Sequence, residues 1–151
     1  MDPRIAKLKT TEECVNFENN ATERGFPEIA ADARRRGIAI RAEKHGAASE
    51  AERECLEAVY AHERMMLAKN GRTTRAIRTW QTFNRQGIIV AVEQLVSREA
   101  PPSGYTLLAD LGLADYAFEA VVLRHPEAFS PEAVKRSQER MEQRLTQPAH
   151  A

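Results

Sequence analysis

Apolar residues recur along most of the chain at intervals of three and four, the spacing that places side chains on one face of an α-helix. A first helix is predicted to begin at Thr10 or Thr11, where glutamates follow in the first turn. A second is predicted from Pro27 to about His45, ending at Gly46. Residues 1–9 have little pattern and are predicted to be a tail or a short lead-in.

The third predicted helix has the clearest start signal in the chain. Ser49 with Glu52 three positions later is a capping box. Apolar spacing then continues to about Lys69, which gives a helix of about 30 Å. Asn70 and Gly71 indicate its end, since both residue types tolerate the left-handed conformation that terminates helices. This helix is predicted to be the central one.

The next helix is predicted to begin with a cap at Thr73 or Thr74 and to end at Gln86. One face carries Ala76, Ile77, Trp80 and Phe83. The other face and its edges carry Arg75, Arg78, Thr79, Thr82 and Arg85. The pattern therefore predicts an amphipathic helix with an aromatic inner face and a cationic outer face.

The rest of the chain also favours helices. Residues 88–98 are predicted to be helical rather than a strand, because Glu93 and Gln94 extend the helical period and no second strand is available to pair. Residues 100–104 indicate a linker, and 147–151 a frayed tail. Further helices are predicted at 105–111, at 116–124 with Asp115 as its cap, and from Ser130 onward.

These elements predict an all-α fold, an irregular bundle of about six or seven helices. Abundant alanine, glutamate, arginine and leucine favour helices, while β-branched and aromatic residues are sparse. A chain of 151 residues is the size of one domain, so residues 1–151 are predicted to be a single domain with a possible subcluster boundary near 100–104. The predicted core comprises Ile29, Val59, Met66, Trp80, Val92, Phe118 and Val122.

Cysteine usage and hydropathy indicate a cytoplasmic protein without a membrane partner. Cys14 and Cys55 belong to no CxxC pattern and are expected to be free, buried thiols. No signal peptide is recognisable at the N-terminus. No apolar run approaches the roughly 20 residues that a membrane-spanning helix needs.

The sequence contains no recognisable catalytic or cofactor-binding motif. It has no Walker loop, no glycine-rich dinucleotide turn and no GxSxG. His62 and Glu63 begin an HExx sequence, but Met66 stands where the second zinc-binding histidine would be. No catalytic residue, metal ligand or cofactor is therefore predicted, and an enzyme is disfavoured.

One cluster of acidic residues suggests an alternative to that conclusion. Asp110, Asp115, Glu119 and His125 occupy one local region. If these groups converged in a pocket, they would suit a metal-dependent hydrolase or nuclease. A helix cap plus an exposed glutamate is the simpler interpretation of the same residues.

Charge is distributed unevenly along the chain. The whole sequence has 22 basic and 22 acidic residues, yet residues 64–92 contain six basic side chains and neither Asp nor Glu. The hypothesis is a small nucleic-acid-binding protein or module that uses Lys69, Arg72, Arg75, Arg78 and Arg85 on DNA or RNA. The run Arg34, Arg35 and Arg36 is a candidate for a minor second contact.

A helix entered through a short turn resembles a helix-turn-helix in part, with Gly71 as the turn glycine. Leu67 and Arg72 depart from that motif, because a small residue and an apolar residue are usual at those positions. Two other interpretations stay open. The arginines could pair with acidic neighbours at Glu50, Glu54, Glu57 and Glu63. The chain could instead be a helical module that binds a protein partner or a second copy of itself.

Overall fold

The computed structural model describes residues 2–98 and 102–146, leaving aside the side chains at 102, 103 and 146. Across these residues the chain is all-helical, with no strand and nine α-helices. The helices are α1 (Pro3–Ala6), α2 (Thr11–Glu23), α3 (Pro27–His45), α4 (Glu50–Asn70), α5 (Ile77–Gln86), α6 (Ile88–Ser97), α7 (Pro102–Asp110), α8 (Phe118–Arg124) and α9 (Pro131–Thr146). The all-α prediction is confirmed, but the helices exceed the predicted six or seven.

The helices form two compact units, Met1–Ala47 and Ala48–Ala151. The prediction of a single domain stays a prediction. The predicted linker covered residues 100–104, of which 102–104 lie in α7. Residues 100 and 101 lie outside the described part of the chain, and so does the predicted frayed tail at 147–151.

The first unit is built on a helical hairpin. Helix α2 packs along α3, and α1 contacts α3. The hairpin is tight at Gly37, where an added Cβ would lie 3.4 Å from the Cβ of Cys14. Ala30 and Ala33 of the same helix are buried. The small residues that the sequence places along α3 therefore allow the two helices to approach closely.

The second unit is organised around α4, as predicted. This helix packs against α6, α7, α8 and the 3₁₀ turn Ala114–Tyr116. Helix α9 packs on α8 and α6, and α5 pairs with α6. Residues 88–97 are helical, so the choice of helix over strand for this segment is confirmed.

Two of the predicted helix starts have their capping hydrogen bonds. Thr10 Oγ1 accepts from the Glu13 amide at 3.1 Å, and the Glu13 carboxylate accepts from the Thr10 amide at 3.1 Å. Ser49 Oγ likewise accepts from the Glu52 amide at 3.2 Å. The Glu52 carboxylate accepts from the amide of Ala48 at 3.1 Å, one residue before the position that a capping box predicts.

Other predicted boundaries are shifted. Helix α8 begins at Phe118 rather than Tyr116, because Ala117 is extended, with ψ 144°. No side chain caps it, so the predicted cap at Asp115 is wrong. Helix α7 begins at Pro102 and ends at Asp110, where 105–111 was predicted.

The predicted core is partly correct. Val59, Val92 and Val122 are 0% exposed. The other four predicted core residues, Ile29, Met66, Trp80 and Phe118, are only half-buried. Smaller side chains fill much of the interior instead, which suits helices that approach one another closely.

Both cysteines are free and buried, as predicted. Burial raises the pKa of the Cys55 thiol to about 12, and burial also raises the pKa of Cys14. These thiols therefore remain protonated near neutral pH and pack as small apolar groups.

Among the described helices, none has both the length and the apolar character that crossing a bilayer requires.

Candidate nucleic-acid interface

The connection from α4 to α5 determines where the cationic helix begins. Gly71 ends α4 in the left-handed conformation, with φ 72°, as predicted. Helix α5 begins at Ile77, so the predicted start at Thr73 or Thr74 is wrong. The connection covers residues 71–76, which is longer than the three or four residues typical of a helix-turn-helix.

A carboxylate of the preceding helix, not a threonine hydroxyl, fixes the start of α5. The buried Glu63 of α4 accepts from the Ala76 amide at 2.8 Å and from Trp80 Nε1 at 2.7 Å, both at its Oε2. The Trp80 ring also packs on Tyr60 of α4, with ring centroids 5.0 Å apart. Glu63 therefore ties the cationic helix to the central helix.

Glu63→Ala is expected to destabilise the second unit by about 2–4 kcal/mol, because two donors lose a charged acceptor. Glu63→Gln retains an acceptor oxygen and is expected to cost less, about 1 kcal/mol. Chemical denaturation monitored by far-ultraviolet circular dichroism measures both. The control is Glu139→Ala at an exposed position of α9, expected within about 0.5 kcal/mol of wild type. Equal stability of Glu63→Ala and this control would contradict the assignment.

The orientation of α5 follows from its one buried aromatic residue. Phe83 is 5% exposed and faces inward. At 100° per residue, Arg78 and Arg85 lie on the opposite side of the helix, and both are exposed. Ile77 lies about 120° from Phe83 by the same count. It is 61% exposed, so its predicted place on the inner face is wrong.

A polar groove of about 270 Å³ runs between α5 and α6. It is lined by Arg78, Thr79, Gln81, Thr82, Arg85, Ala91, Gln94, Leu95 and Arg98. From α5 the lining residues span two helical turns, from Arg78 to Arg85, at intervals of three, four and seven. Helix α6 contributes Ala91, Gln94 and Leu95, and Arg98 follows its end in an extended conformation.

The groove is cationic, and none of the described residues that line it carries a carboxylate. Arg78, Arg85 and Arg98 form no ion pair with any residue in 2–98 or 102–146. Hydroxyl and amide groups of Thr79, Thr82, Gln81 and Gln94 complete the polar lining. Guanidinium, hydroxyl and amide groups are the side chains that most often bind phosphate oxygens.

Three of the four acidic residues that the sequence offered as partners pair with other residues, whereas the fourth, Glu63, lies within ion-pair distance of Arg75. Glu50 and Glu57 both pair with Arg53. Glu54 pairs with Arg124 Nε and His125 Nε2, each at 2.6 Å. Burial would raise the pKa of Glu54, but hydrogen bonds from His125 and Arg124 outweigh it and lower the pKa overall. These ion pairs of Glu50, Glu54 and Glu57 therefore do not include the groove arginines.

The five predicted site residues do not all meet at one place. Arg78 and Arg85 line the groove, whereas Lys69, Arg72 and Arg75 are absent from its lining. These three are exposed at the end of α4 and along the connection. Arg75 Nε lies 3.8 Å from Glu63 Oε2, and the Arg75 side chain is 66% exposed.

The basic run at the centre of α3 has structural partners. Arg34 Nε donates to Glu18 Oε2 at 2.8 Å, and both side chains are largely buried. Arg36 donates to the carbonyl of Leu8 through Nε at 3.1 Å and Nη2 at 2.9 Å. Arg35 is half-buried and also has a partner. Arg34 and Arg36 therefore connect α3 to other parts of the first unit, and the minor second contact stays a prediction.

The residues of the acidic alternative do not converge. Both oxygens of the buried Glu119 carboxylate accept from Arg140 and Arg144, at 3.0–3.3 Å. His125 bonds to Glu54, and Asp110 is exposed. No group of three or more potential metal-binding side chains occurs in the described ranges. The geometry needed for a metal-dependent hydrolase is therefore not present at these four residues.

His62 is held in one tautomer on α4. Its Nδ1 donates to the Ala58 carbonyl at 2.7 Å, and its ring stacks on Phe118 with centroids 4.7 Å apart. Burial lowers the pKa of His62, so the ring is neutral at physiological pH. The two residues of the HExx sequence therefore have separate structural roles. His62 packs on Phe118, and Glu63 accepts hydrogen bonds at the start of α5.

Arg98 and Gln94 are the groove residues that sequence reasoning missed. The sequence placed them on a helix but gave no signal that this helix pairs with α5. Comparison with protein-family models, with curated proteins and with solved structures found no match to the chain.

Proposed function

We propose that the second unit binds nucleic acid through its phosphate backbone, in the groove between α5 and α6. The observation that carries this proposal is the convergence of Arg78, Arg85 and Arg98 on one groove without an acidic partner among the described residues. The chain as a whole is electrically balanced, with 22 residues of each sign. Positive charge is therefore concentrated at one place, and the protein is not uniformly basic.

The spacing of the groove arginines supports a chain of phosphates as the ligand. Arg78 and Arg85 are seven residues apart on one helix face, so their Cα atoms are about 10 Å apart along the axis. Arg98, just after the end of α6, lines the same groove. Three cations along an elongated groove suit a chain of negative charges better than a single small anion, and exposed Lys69 and Arg72 extend the same basic segment.

The lining favours backbone contacts over base recognition. None of the groove residues that the structure describes is aromatic, and stacking on aromatic rings is the usual way to hold unpaired bases. Trp80 is tied to Glu63, and Phe83 is buried, so neither ring is presented to the groove. The proposed binding therefore discriminates little between sequences.

The alternative of a helical module for protein partners required the arginines to be paired internally. Those of the groove are not paired within the described residues. Exposed large apolar side chains occur in the described residues at Val15, Phe26, Ile77, Val90 and Leu145. Singly exposed side chains are normal and do not by themselves make the contiguous patch of several hundred Å² that marks such a surface.

Fluorescence anisotropy with labelled single- and double-stranded DNA and RNA tests the proposal. Each neutralised phosphate contributes a slope of about −0.9 in a plot of log affinity against log salt for duplex DNA. Three groove arginines alone therefore predict about 40-fold weaker duplex binding between about 50 and 200 mM salt. Two sequences of equal length are expected to bind with similar affinity. Absence of binding at low salt to all four probes would overturn the proposal.

A further inference from the structure

A second cavity lies in the same unit, with a mostly apolar wall. Its volume is about 280 Å³. The apolar part of the wall comes from Val59, Met66, Ala76, Leu95, Leu108, Ala117 and Phe118. Its polar part comes from Thr79, Tyr105, His62 and a cluster of three charged residues, Glu119, Arg140 and Arg144.

The charged cluster in this wall is not balanced. One carboxylate, Glu119, accepts from two largely buried guanidinium groups, Arg140 and Arg144. Two positive charges against one negative charge leave a net charge of +1. His62 adds none, because burial lowers its pKa. A buried charge without a counterion is costly, so this wall favours a ligand with one negative charge.

One donor of the cluster has no acceptor among the described residues. Arg140 Nη1 bonds to Glu119 at 3.0 Å, whereas Arg140 Nη2 is buried and without a hydrogen-bond partner in the described part of the chain. Buried polar groups in native proteins are nearly always satisfied. Arg144 is fixed beside it, because its guanidinium lies 4.6 Å from the centre of the Tyr105 ring.

We infer that this cavity binds a small organic monoanion, a carboxylate with an apolar body. The carboxylate accepts from Arg140 Nη2 and balances the extra positive charge, and the apolar body lies against Val59, Leu108 and Phe118. This cavity shares Thr79 and Leu95 with the wall of the α5–α6 groove, but none of the described arginines lines both sites, so the arginines proposed to bind the anion differ from those of the groove.

Hexanoate is the probe, with 1-hexanol and hexylammonium as neutral and cationic ligands of the same chain length. Isothermal titration calorimetry on the full chain is expected to show hexanoate binding at least about 10-fold more tightly than 1-hexanol, with no heat from hexylammonium. Equal affinity for hexanoate and hexanol, or no hexanoate binding, would overturn the inference.

Arg140→Met is the decisive variant, because it leaves Glu119 and Arg144 as a neutral pair. The variant is expected to fold with a melting temperature at or above that of wild type, and to bind hexanoate at least about 10-fold more weakly. Arg136→Met, at an exposed position on the same helix, is the matched control and is expected to bind as wild type. Unchanged hexanoate affinity in Arg140→Met, or failure of this variant to fold, would contradict the charge argument.

Arginine Nε–H signals in nitrogen-15 nuclear magnetic resonance spectra show which of the two proposed sites hexanoate binds. Hexanoate is expected to shift the signals of Arg140 and Arg144 and to leave those of Arg78 and Arg85 in place. Shifts confined to the groove arginines would overturn the inference and place the anion in the α5–α6 groove.

Discussion

Simultaneous replacement of Arg78, Arg85 and Arg98 by alanine is expected to weaken nucleic-acid binding by on the order of 100-fold or more at about 0.1 M salt. These three residues line one groove and have no described acidic partner. Each lost phosphate contact removes about 0.9 from the slope of log affinity against log salt for a duplex. The slope of the triple variant should therefore be shallower by nearly 3. Anisotropy titrations over a salt series measure both quantities.

The control for this variant changes the net charge of the chain by the same amount. Arg24, Arg41 and Arg136 are exposed and are not among the residues that line the groove, and their joint replacement by alanine is expected to alter affinity less than about 3-fold, because exposed charges that make no phosphate contact are screened at this salt. Equal losses in the two triple variants would mean that net charge, and not the groove, determines binding. Melting temperatures close to wild type would exclude unfolding as the cause of a loss.

Glu119→Leu is expected to reduce the free energy of unfolding by about 3–5 kcal/mol, the largest stability effect predicted for the chain. The substitution leaves two largely buried guanidinium groups, Arg140 and Arg144, without their shared carboxylate. Urea denaturation monitored by circular dichroism measures the loss. Glu119→Gln retains acceptor capacity at one oxygen and should fall between Glu119→Leu and wild type.

A compensating change tests the cause of that loss. In Glu119→Leu combined with Arg140→Met and Arg144→Met, no buried charge of the cluster remains, and stability is expected to return to within about 1–2 kcal/mol of wild type. If the triple variant is no more stable than Glu119→Leu alone, then lost packing and not unpaired charge is responsible.

Lowering the pH should also remove the stabilising contribution of the Glu119 carboxylate from the wild-type protein. Burial would raise the pKa of Glu119, but Arg144 and Arg140 outweigh burial and lower the pKa overall. A carboxyl group whose folded pKa lies below its unfolded value of about 4.3 stabilises the fold above that pH, and the contribution is lost as pH falls through the folded pKa. Glu57 acts in the opposite sense, since burial raises its pKa. Glu119→Gln should flatten the acid limb of the stability curve.

Helix ends that depend on local sequence could be predicted, because their signals act within a few residues. The caps at Thr10 and Ser49, the proline start of α3 and the glycine end of α4 are examples. The short helix α1 follows the same rule, since Asp2 Oδ1 accepts from the Arg4 amide at 2.8 Å. Its four residues are too few to produce a hydrophobic period, so the pattern did not predict it.

The start of α5 could not be predicted from local sequence. Glu63 supplies the acceptor for Ala76, thirteen residues away. Thr74, one of the two predicted caps, instead donates to the Arg72 carbonyl and accepts from Asn70. When tertiary contacts provide the capping group, a threonine near the boundary is a misleading signal.

Only part of the candidate site could be predicted, because its ion pairs also depend on tertiary contacts. The absence of acidic residues from 64–92 indicated a cationic surface, and Arg78 and Arg85 do line an exposed groove. Which acidic residues neutralise which arginines depends on contacts across the fold, such as Glu54 with Arg124, 70 positions apart. The pairing of α5 with α6, which adds Arg98, is a contact between two helices and does not show in the pattern within either one.

Photo-crosslinking from inside the groove tests the central claim most directly. A benzophenone amino acid is placed at Gln81, which lines the groove, and in a second variant at Gln138, an exposed glutamine of α9. After irradiation with labelled single- and double-stranded DNA and RNA at low salt, the position 81 variant is expected to crosslink strongly, and the position 138 variant only at background. Crosslinking from position 138 that equals or exceeds that from position 81 would contradict the assignment of the α5–α6 groove as the nucleic-acid surface.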